Sequence, residues 1–256
     1  MNGAVRSFIL AVQFLTRLPT PQVDGFQPDA LSRSSGYFPL VGGLVGCFVA
    51  AAMWAGSILD PWLGASFALA VWVAVTGALH LDGLSDMADA MGAAHSDPTR
   101  FHAVLKDPHI GTFGVVTLAV QLILKLSLLW MLAREGAYLL LIPLCAWSRL
   151  GPVLWAHYLP VLRPAVTDTS GDSSGDTPSS GERFAWRISP VVLWAWVVAL
   201  LAAAWLSPAF LFAPAVLFGW GVYLHVKLGG QTGDLLGAGV EISETLLLFI
   251  TIIIIH

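Results

Sequence analysis

The chain has 256 residues, of which 57% are hydrophobic and 11% are charged. Soluble domains carry roughly 25% charged residues, so this composition excludes an ordinary soluble protein and indicates lipid as the main solvent. The formal net charge of −4 gives no electrostatic reason to expect nucleic acid as a partner.

Seven stretches are predicted as membrane-spanning helices, for which roughly 20 mostly apolar residues are needed. They are 36–59, 62–81, 113–133, 136–158, 188–206, 208–227 and the shorter 242–255. Residues 4–18 are predicted to form an additional amphipathic or partly inserted helix, which ends at Pro19. The sequence therefore predicts one all-α membrane domain over 1–256, a polytopic transmembrane helix bundle of about seven spans in contact with the lipid bilayer.

The connections between these spans alternate in length, so all the long connections fall on one side of the membrane. The opposite side carries only Arg134. The Lys and Arg residues on the side of the long connections are Arg6, Arg17, Arg33, Arg100, Lys106, Arg163, Arg183, Arg187 and Lys227. Because loops rich in Lys and Arg stay in the cytoplasm, we expect a multi-pass protein of the cell inner membrane whose long connections are cytoplasmic.

One of these connections, 163–187, is predicted to be a flexible cytoplasmic loop. Its central part, 167–182, consists of Ser, Gly, Asp, Thr, Pro and Glu and has no large apolar residue. Such a stretch cannot bury enough surface to offset its ordering entropy, and we expect no catalytic role for it.

An acidic group follows the second predicted span, in the run HLDGLSDMAD at 80–89. Asp82, Asp86 and Asp89 are four and three residues apart, a spacing that places them on one face of a helix. Three carboxylates with no interleaved Lys or Arg repel one another, and a divalent cation would reverse that effect. Mg²⁺ suits carboxylate oxygens and keeps waters and substrate phosphates in its other positions. Solvated acids at a helix end are the alternative interpretation.

A second acidic group lies near the end of the chain, where Asp234, Glu241 and Glu244 follow a glycine-rich stretch. They are seven and three residues apart, again close to one helical face. Backbone amides of a glycine-rich turn that opens a helix can hold phosphate oxygens. Glu241 and Glu244 are expected at the start of the last span, where charge is costly and usually functional. Glu residues that favour a helix N-terminus are the structural alternative.

Between the two acidic groups, the run KDPHIGTFG at 106–114 leads into the third predicted span. Lys106 and His109 are candidates for contact with an anionic substrate, although Lys106 is equally well explained as a positive-inside anchor. Lys125 and Arg149 lie within spans, where a charge indicates a functional site by default. Lys125 can instead extend its ammonium towards the membrane surface.

Phosphoryl transfer is the chemistry that suits these residues. It needs a metal to neutralise phosphate charge and a group that orients or deprotonates the attacking hydroxyl, and carboxylates can serve both needs. From the residues alone we therefore expect a membrane-embedded, Mg²⁺-dependent enzyme that handles a phosphorylated or diphosphate substrate.

Three runs in this chain resemble the cobalamin synthase family, the adenosylcobinamide-GDP ribazoletransferases. They are HLDGLSDMAD, KDPHIGTFG and LGGQTGDLLGAGVEISE, supported by FLTRLP at 14–19, FPLVGG at 38–43 and Ser148-Arg149. The resemblance extends from about residue 8 to about residue 250, in the same order. One departure is that the family's Arg-x-x-Gly-Leu-Gly segment after the fourth span is replaced here by Arg163-Pro164 and the Ser/Gly/Asp stretch.

The resemblance implies that a ribose hydroxyl of α-ribazole, or of its 5′-phosphate, attacks the cobinamide-linked phosphorus of adenosylcobinamide-GDP. GMP would leave, adenosylcobalamin or its phosphate would form, and Mg²⁺ would be required. The same resemblance leaves open a homo-oligomer or an association with other enzymes of the corrinoid pathway.

The resemblance also implies roles for individual residues. Asp82 and Asp86 would hold metal, and Asp89 would hold metal or act as general base. The metal or substrate contacts of the second acidic group would come from Asp234, Glu241 and Glu244. Nucleotide or phosphate contacts would come from Gly230, Gln231 and Gly233.

Two other functions are compatible with an acidic membrane protein. A CDP-alcohol phosphotransferase predicts Asp-x-x-Asp-Gly-x-x-Ala-Arg, but no Arg stands at the required place after Asp82-Gly83. An ion-coupled transporter predicts carboxylates in the middle of spans, whereas the acids here are expected at the cytoplasmic ends.

Overall fold

The computed structural model describes residues 3–23, 32–94, 98–105, 107, 109–162 and 188–256. The α-helices over these residues are α1 (Gly3–Leu15), α2 (Phe38–Ser57), α3 (Pro61–Thr76), α4 (Leu79–Ala94), α5 (Pro98–Leu105), α6 (Thr112–Arg134), α7 (Leu141–Tyr158), α8 (Pro190–Leu201), α9 (Ala213–Tyr223) and α10 (Gly233–Ile255). Within the same residues, β-type pairing is limited to an isolated bridge between Val161 and Gln231. The predicted all-α class is confirmed. Lys106 and the predicted loop 163–187 lie outside the described residues.

Five described helical stretches are long and apolar enough to cross a membrane. They are Ser32–Ser57, Thr112–Arg134, Tyr138–Tyr158, Pro208–Leu228 and Gly233–Ile255. The stretch predicted at 188–206 is a shorter apolar helix, Pro190–Trp205. The outer face of α6 exposes Val116, Val120 and Ile123, as expected for a surface that meets lipid. The polytopic helix bundle is confirmed, with five such spans where seven were predicted.

The second predicted span, 62–81, is shorter in the structure because α3 ends at Thr76. Gly77 adopts a left-handed conformation with φ of 61°, and such a glycine ends a helix. The chain then turns, so that α4 is bent by 86° from α3. If α3 crosses the membrane, α4 therefore runs across the end of the bundle, and it carries the first acidic group away from the span.

The last helix is longer than predicted, because α10 begins at Gly233 and not at residue 242. The hydroxyl of Thr232 accepts a hydrogen bond from the backbone N–H of Leu235 and caps the helix. Gly237 and Gly239 of the glycine-rich stretch are therefore helical residues, and Gly239 permits close packing, because a Cβ atom there would collide with the rings of Trp155 and Trp220. The expectation that Glu241 and Glu244 lie at the start of this helix is wrong, since they lie within it.

Residues from all four long connections meet at one end of the bundle. The backbone N–H of Arg17, just after α1, donates to the carbonyl of Val75 at 2.7 Å. The N–H of Gly111 contacts Asp89 on α4, and the N–H of Gln231 donates to Pro160 after α7. These contacts place the N-terminal end of α6 beside α4 and hold the segment before α10 against the chain that follows α7.

Candidate functional site

The three aspartates of α4 follow one another along its face, as their spacing predicts. Asp82 is exposed in the first turn, Asp86 is partly buried, and Asp89 is buried. The row therefore runs from the surface of the bundle end into the packed interior.

Asp234 joins this row from the first turn of α10. Gly83, next to Asp82, approaches so closely that a Cβ atom there would lie 2.6 Å from the carbonyl oxygen of Asp234 and 2.9 Å from its Cα atom. Only a residue without a side chain permits this approach. The two acidic groups, which are more than 140 residues apart in the chain, thus meet through Asp82, Asp86 and Asp234.

The electrostatics of the site reflect this crowding. The pKa of Asp86 is raised from its ordinary 3.8 to about 6, chiefly by burial and in addition by the neighbouring carboxylates of Asp82, Asp234 and Asp89. Among the described residues, Asp82, Asp86 and Asp234 have no ion pair with Lys, Arg or His. In the same residues, no three His, Cys, Asp or Glu side chains converge on one metal position. Within the described part of the chain, the site is a row of mutually repelling carboxylates without a counter-ion.

Asp89 has a second set of partners that the sequence did not reveal. One carboxylate oxygen accepts the backbone N–H of Gly111 at 2.7 Å, and the other accepts that of Gly114 at 2.8 Å. A Cβ atom at either glycine would collide with this carboxylate. Asp89 therefore satisfies amides at the N-terminus of α6, and the two glycines of the KDPHIGTFG run make its approach possible.

His109 lies on the exposed loop before α6. Its backbone N–H donates to Asp107 at 3.0 Å, and its Nδ1 atom is 2.7 Å from the same carboxylate oxygen. This hydrogen bonding lowers the pKa of Asp107. The His109 side chain is 89% exposed, so it remains accessible to a substrate at this end.

The segment before α10 is held against the chain that follows α7. The N–H of Gln231 donates to Pro160 and the N–H of Leu162 donates to Gln231, both at 2.9 Å. Gly230 lies so close to Pro160 that a Cβ atom would collide with its carbonyl. The side chain of Gln231 is buried, and neither of its amide atoms has a hydrogen-bond partner among the described residues. No described residue lies near the missing Cβ atom of Gly233, so Gly233 leaves space beside Asp234.

Glu241 and Glu244 turn towards two cations instead of the aspartates. Lys125 of α6 contacts both carboxylates, and its Nζ atom is 2.8 Å from Glu241. Arg149 of α7 donates to Glu244. The sequence predicted Lys125 and Arg149 within spans and the two glutamates at the start of one, but separations of 95 to 119 positions concealed the pairing.

The fold and the site define a polytopic membrane protein with a carboxylate site at one end of its bundle. The family model for cobalamin-5-phosphate synthase matches residues 7–252. The chain belongs to this family, and that assignment confirms the resemblance seen in the sequence.

Curated relatives agree along nearly the whole chain. Proteins called adenosylcobinamide-GDP ribazoletransferase are 49% identical over 251 residues in Laribacter hongkongensis and 47% identical over 249 residues in Novosphingobium aromaticivorans, covering 97% and 95% of both chains respectively. The Pseudomonas aeruginosa protein of that name is 38% identical over 245 residues, which are 95% of this chain and 96% of its own. No solved structure gives a significant match.

Proposed function

We propose that this protein joins α-ribazole, or its 5′-phosphate, to adenosylcobinamide-GDP and releases GMP. The family assignment and the names of the relatives support this reaction, and they do not favour a CDP-alcohol phosphotransferase or a transporter. The structural observation that carries the proposal is the contact between α4 and the first turn of α10, which unites carboxylates from two distant motifs.

The residues of this site fit a magnesium ion. Asp82, Asp86 and Asp234 supply hard oxygen donors, and their mutual repulsion has no counter-ion in the described chain. Mg²⁺ usually takes one or two protein carboxylates and fills its remaining positions with water and substrate phosphate. A site in which fewer than three side chains converge is therefore suitable for Mg²⁺. We assign Asp82 and Asp86 as the primary ligands of the ion. Bound Mg²⁺ would neutralise charge on the diphosphate during transfer.

Side chains of the protein supply proton transfer and substrate contacts. The ribose hydroxyl forms a new bond to the cobinamide-linked phosphorus, its proton passes to a carboxylate of the site, and the bond to GMP breaks. Asp234 has no ion pair among the described residues and lies beside the open space at Gly233, which suits it to receive that proton or to orient the hydroxyl. The buried amide of Gln231 suits a hydrogen bond to the nucleotide or a phosphate oxygen.

We propose that the site faces the cytoplasm, because the side of the long connections carries most of the Lys and Arg residues outside the spans. Labelling of single cysteines tests this orientation. His109→Cys lies at the site end and Leu59→Cys, 78% exposed, at the other end, both in a background in which the exposed Cys47 is replaced by Ser. In intact cells an impermeant thiol reagent should modify Leu59→Cys and spare His109→Cys, and the reverse pattern would refute the orientation.

The reaction is tested with purified protein in lipid vesicles, supplied with adenosylcobinamide-GDP, Mg²⁺ and either α-ribazole or its 5′-phosphate. GMP release that depends on both the ribazole and the metal is expected. GMP release without incorporation of the ribazole, or full activity in the presence of a chelator, would contradict the proposal.

A further inference from the structure

A network of charged side chains crosses the interior of the bundle on the inner side of the carboxylate site. It consists of Lys125 on α6, Arg149 on α7, and Glu241 and Glu244 on α10, none of which is more than 4% exposed. Lys125 lies between the two carboxylates, and Arg149 donates to Glu244. The proposed reaction uses none of the cations, so their presence needs an explanation.

Neutral groups add hydrogen bonds and a ring contact to this network. Gln121 donates to Glu241 at 3.0 Å and to the hydroxyl of Thr245 at 2.8 Å. The ammonium of Lys125 also lies 4.3 Å from the ring centre of Trp72 on α3. The four charges balance, and three helices contribute them. Isolated charges at this depth would be costly, whereas balanced and hydrogen-bonded ones can persist.

The position of the network along α10 links it to the site. Glu241 is seven residues after Asp234, which corresponds to about two helical turns and nearly the same face of the helix. A rotation or slide of α10 that moved Asp234 away from Gly83 would also separate Glu241 and Glu244 from their cations. The ion pairs therefore favour one depth and one rotation of α10 in the bundle.

We infer that Lys125 and Arg149 are positioning residues, whose ion pairs with Glu241 and Glu244 set the register of α10 and so hold Asp234 beside Asp82 and Asp86. The importance of this positioning for catalysis rests on the proposed function. The inference also separates two roles for the glutamates, since Glu241 and Glu244 were expected to ligate the metal and here bind the two cations instead.

The two roles predict opposite results in a double-mutant cycle. Lys125→Met leaves two buried carboxylates with one cation, so α10 should lose its register. Adding Glu241→Gln restores the balance of one cation and one carboxylate between Arg149 and Glu244. Under the positioning role the double variant recovers, whereas under metal ligation by Glu241 it is at least as impaired as Glu241→Gln alone.

Register is measured first, in metal-free protein. Cysteines at His80 and Gly237 place a disulfide probe between α4 and α10, because a Cβ atom at Gly237 lies 3.5 Å from the Cα atom of His80. We expect the yield of oxidised cross-link to fall in the Lys125→Met background and to recover with Glu241→Gln. Lys227→Met, which removes an exposed cation outside the network, should leave the yield unchanged.

Metal affinity is measured second, with Mn²⁺ followed by electron paramagnetic resonance on variants that keep His80 and Gly237. Because the ion pairs and the metal site are coupled through α10, Lys125→Met should weaken Mn²⁺ binding by about tenfold and the double variant should recover most of it. If Lys125→Met does not insert, Gln121→Met removes three hydrogen bonds to Glu241 and Thr245 without unpairing a charge and should give a smaller loss of both signals.

Three outcomes would overturn the inference. They are an unchanged cross-link in Lys125→Met, a loss of thermal stability with no change in cross-link or Mn²⁺ affinity, and a double variant that binds Mn²⁺ no better than Glu241→Gln alone. Failure of the unmodified protein to release GMP would count against the proposed function alone, because the cross-link needs neither metal nor substrate.

Discussion

Gly83 and Asp234 are in backbone contact, although they come from different sequence motifs: a methyl group on Gly83 would lie 2.6 Å from the carbonyl oxygen of Asp234. This contact fixes how near the two acidic groups can come. It also explains a glycine within a helix, where glycine would otherwise cost about 1 kcal/mol relative to alanine.

Gly83→Ala is therefore expected to separate the two helices. Overpacking of this kind typically costs about 1–3 kcal/mol, and we expect a lower thermal midpoint in detergent together with a large loss of GMP release. Gly43→Ala on α2 is the matched control, because no described residue lies within 4 Å of its missing Cβ atom. The control should be neutral or slightly stabilising. Equal effects at the two glycines would mean that the contact with Asp234 has no importance.

Asp82→Asn and Asp86→Asn should leave the protein inserted in the membrane but remove most Mg²⁺-dependent turnover. Loss of a metal ligand removes several kcal/mol of transition-state stabilisation, or roughly a hundredfold to a thousandfold in kcat. Asp60→Asn is the control, since Asp60 caps α3 through the N–H of Trp62 and asparagine caps equally well. Near-normal GMP release by purified Asp82→Asn would exclude the metal assignment.

Metal binding should weaken in acid, because the raised pKa of Asp86, about 6, places its protonation close to neutrality. A proton on Asp86 competes with the cation, so Mn²⁺ affinity should fall between about pH 7.5 and about pH 5.5. The stability of metal-free protein should change in the opposite direction. The folded state binds the proton more readily than the unfolded state, so this group favours folding as the pH falls through its pKa. Both dependences should be smaller in Asp86→Asn, and an unchanged pH profile in that variant would contradict the prediction.

Local pattern was sufficient to predict part of this molecule. Hydropathy located the apolar helices, although with other bounds for α3 and α10, and the spacing of Asp82, Asp86 and Asp89 placed them on one face, because helical periodicity is a property of neighbouring residues. The end of α3 was missed, since the left-handed conformation of Gly77 depends on its surroundings as well as on its identity. The last helix was predicted to begin at residue 242, yet it begins at Gly233, and Gly239 serves close packing within it, a tertiary effect that overrides local propensity.

The partners of the buried charges needed the structure. Lys125 and Glu241 are 116 residues apart, and Asp89 is 22 residues from Gly111. No spacing rule connects positions on different helices, because their contact depends on how the helices pack. The sequence therefore identified the charged residues but not which of them face the substrate and which bind one another.

Asp89 illustrates this distinction and gives a further prediction. Its carboxylate is already hydrogen-bonded to the amides of Gly111 and Gly114. We therefore expect substitution of Asp89 to disturb the position of α6 before it affects catalysis. Asp89→Ala should lower the free energy of unfolding by about 1–3 kcal/mol, since it leaves two amides at the helix N-terminus without their acceptor. Asp89→Asn keeps one acceptor oxygen and should lose less stability. Both variants should retain more Mg²⁺-dependent GMP release than Asp82→Asn, measured at a temperature below their unfolding transitions. If Asp89→Asn is as stable as the unmodified protein but as inactive as Asp82→Asn, Asp89 acts directly in the metal or proton-transfer chemistry, and its contact with α6 is secondary.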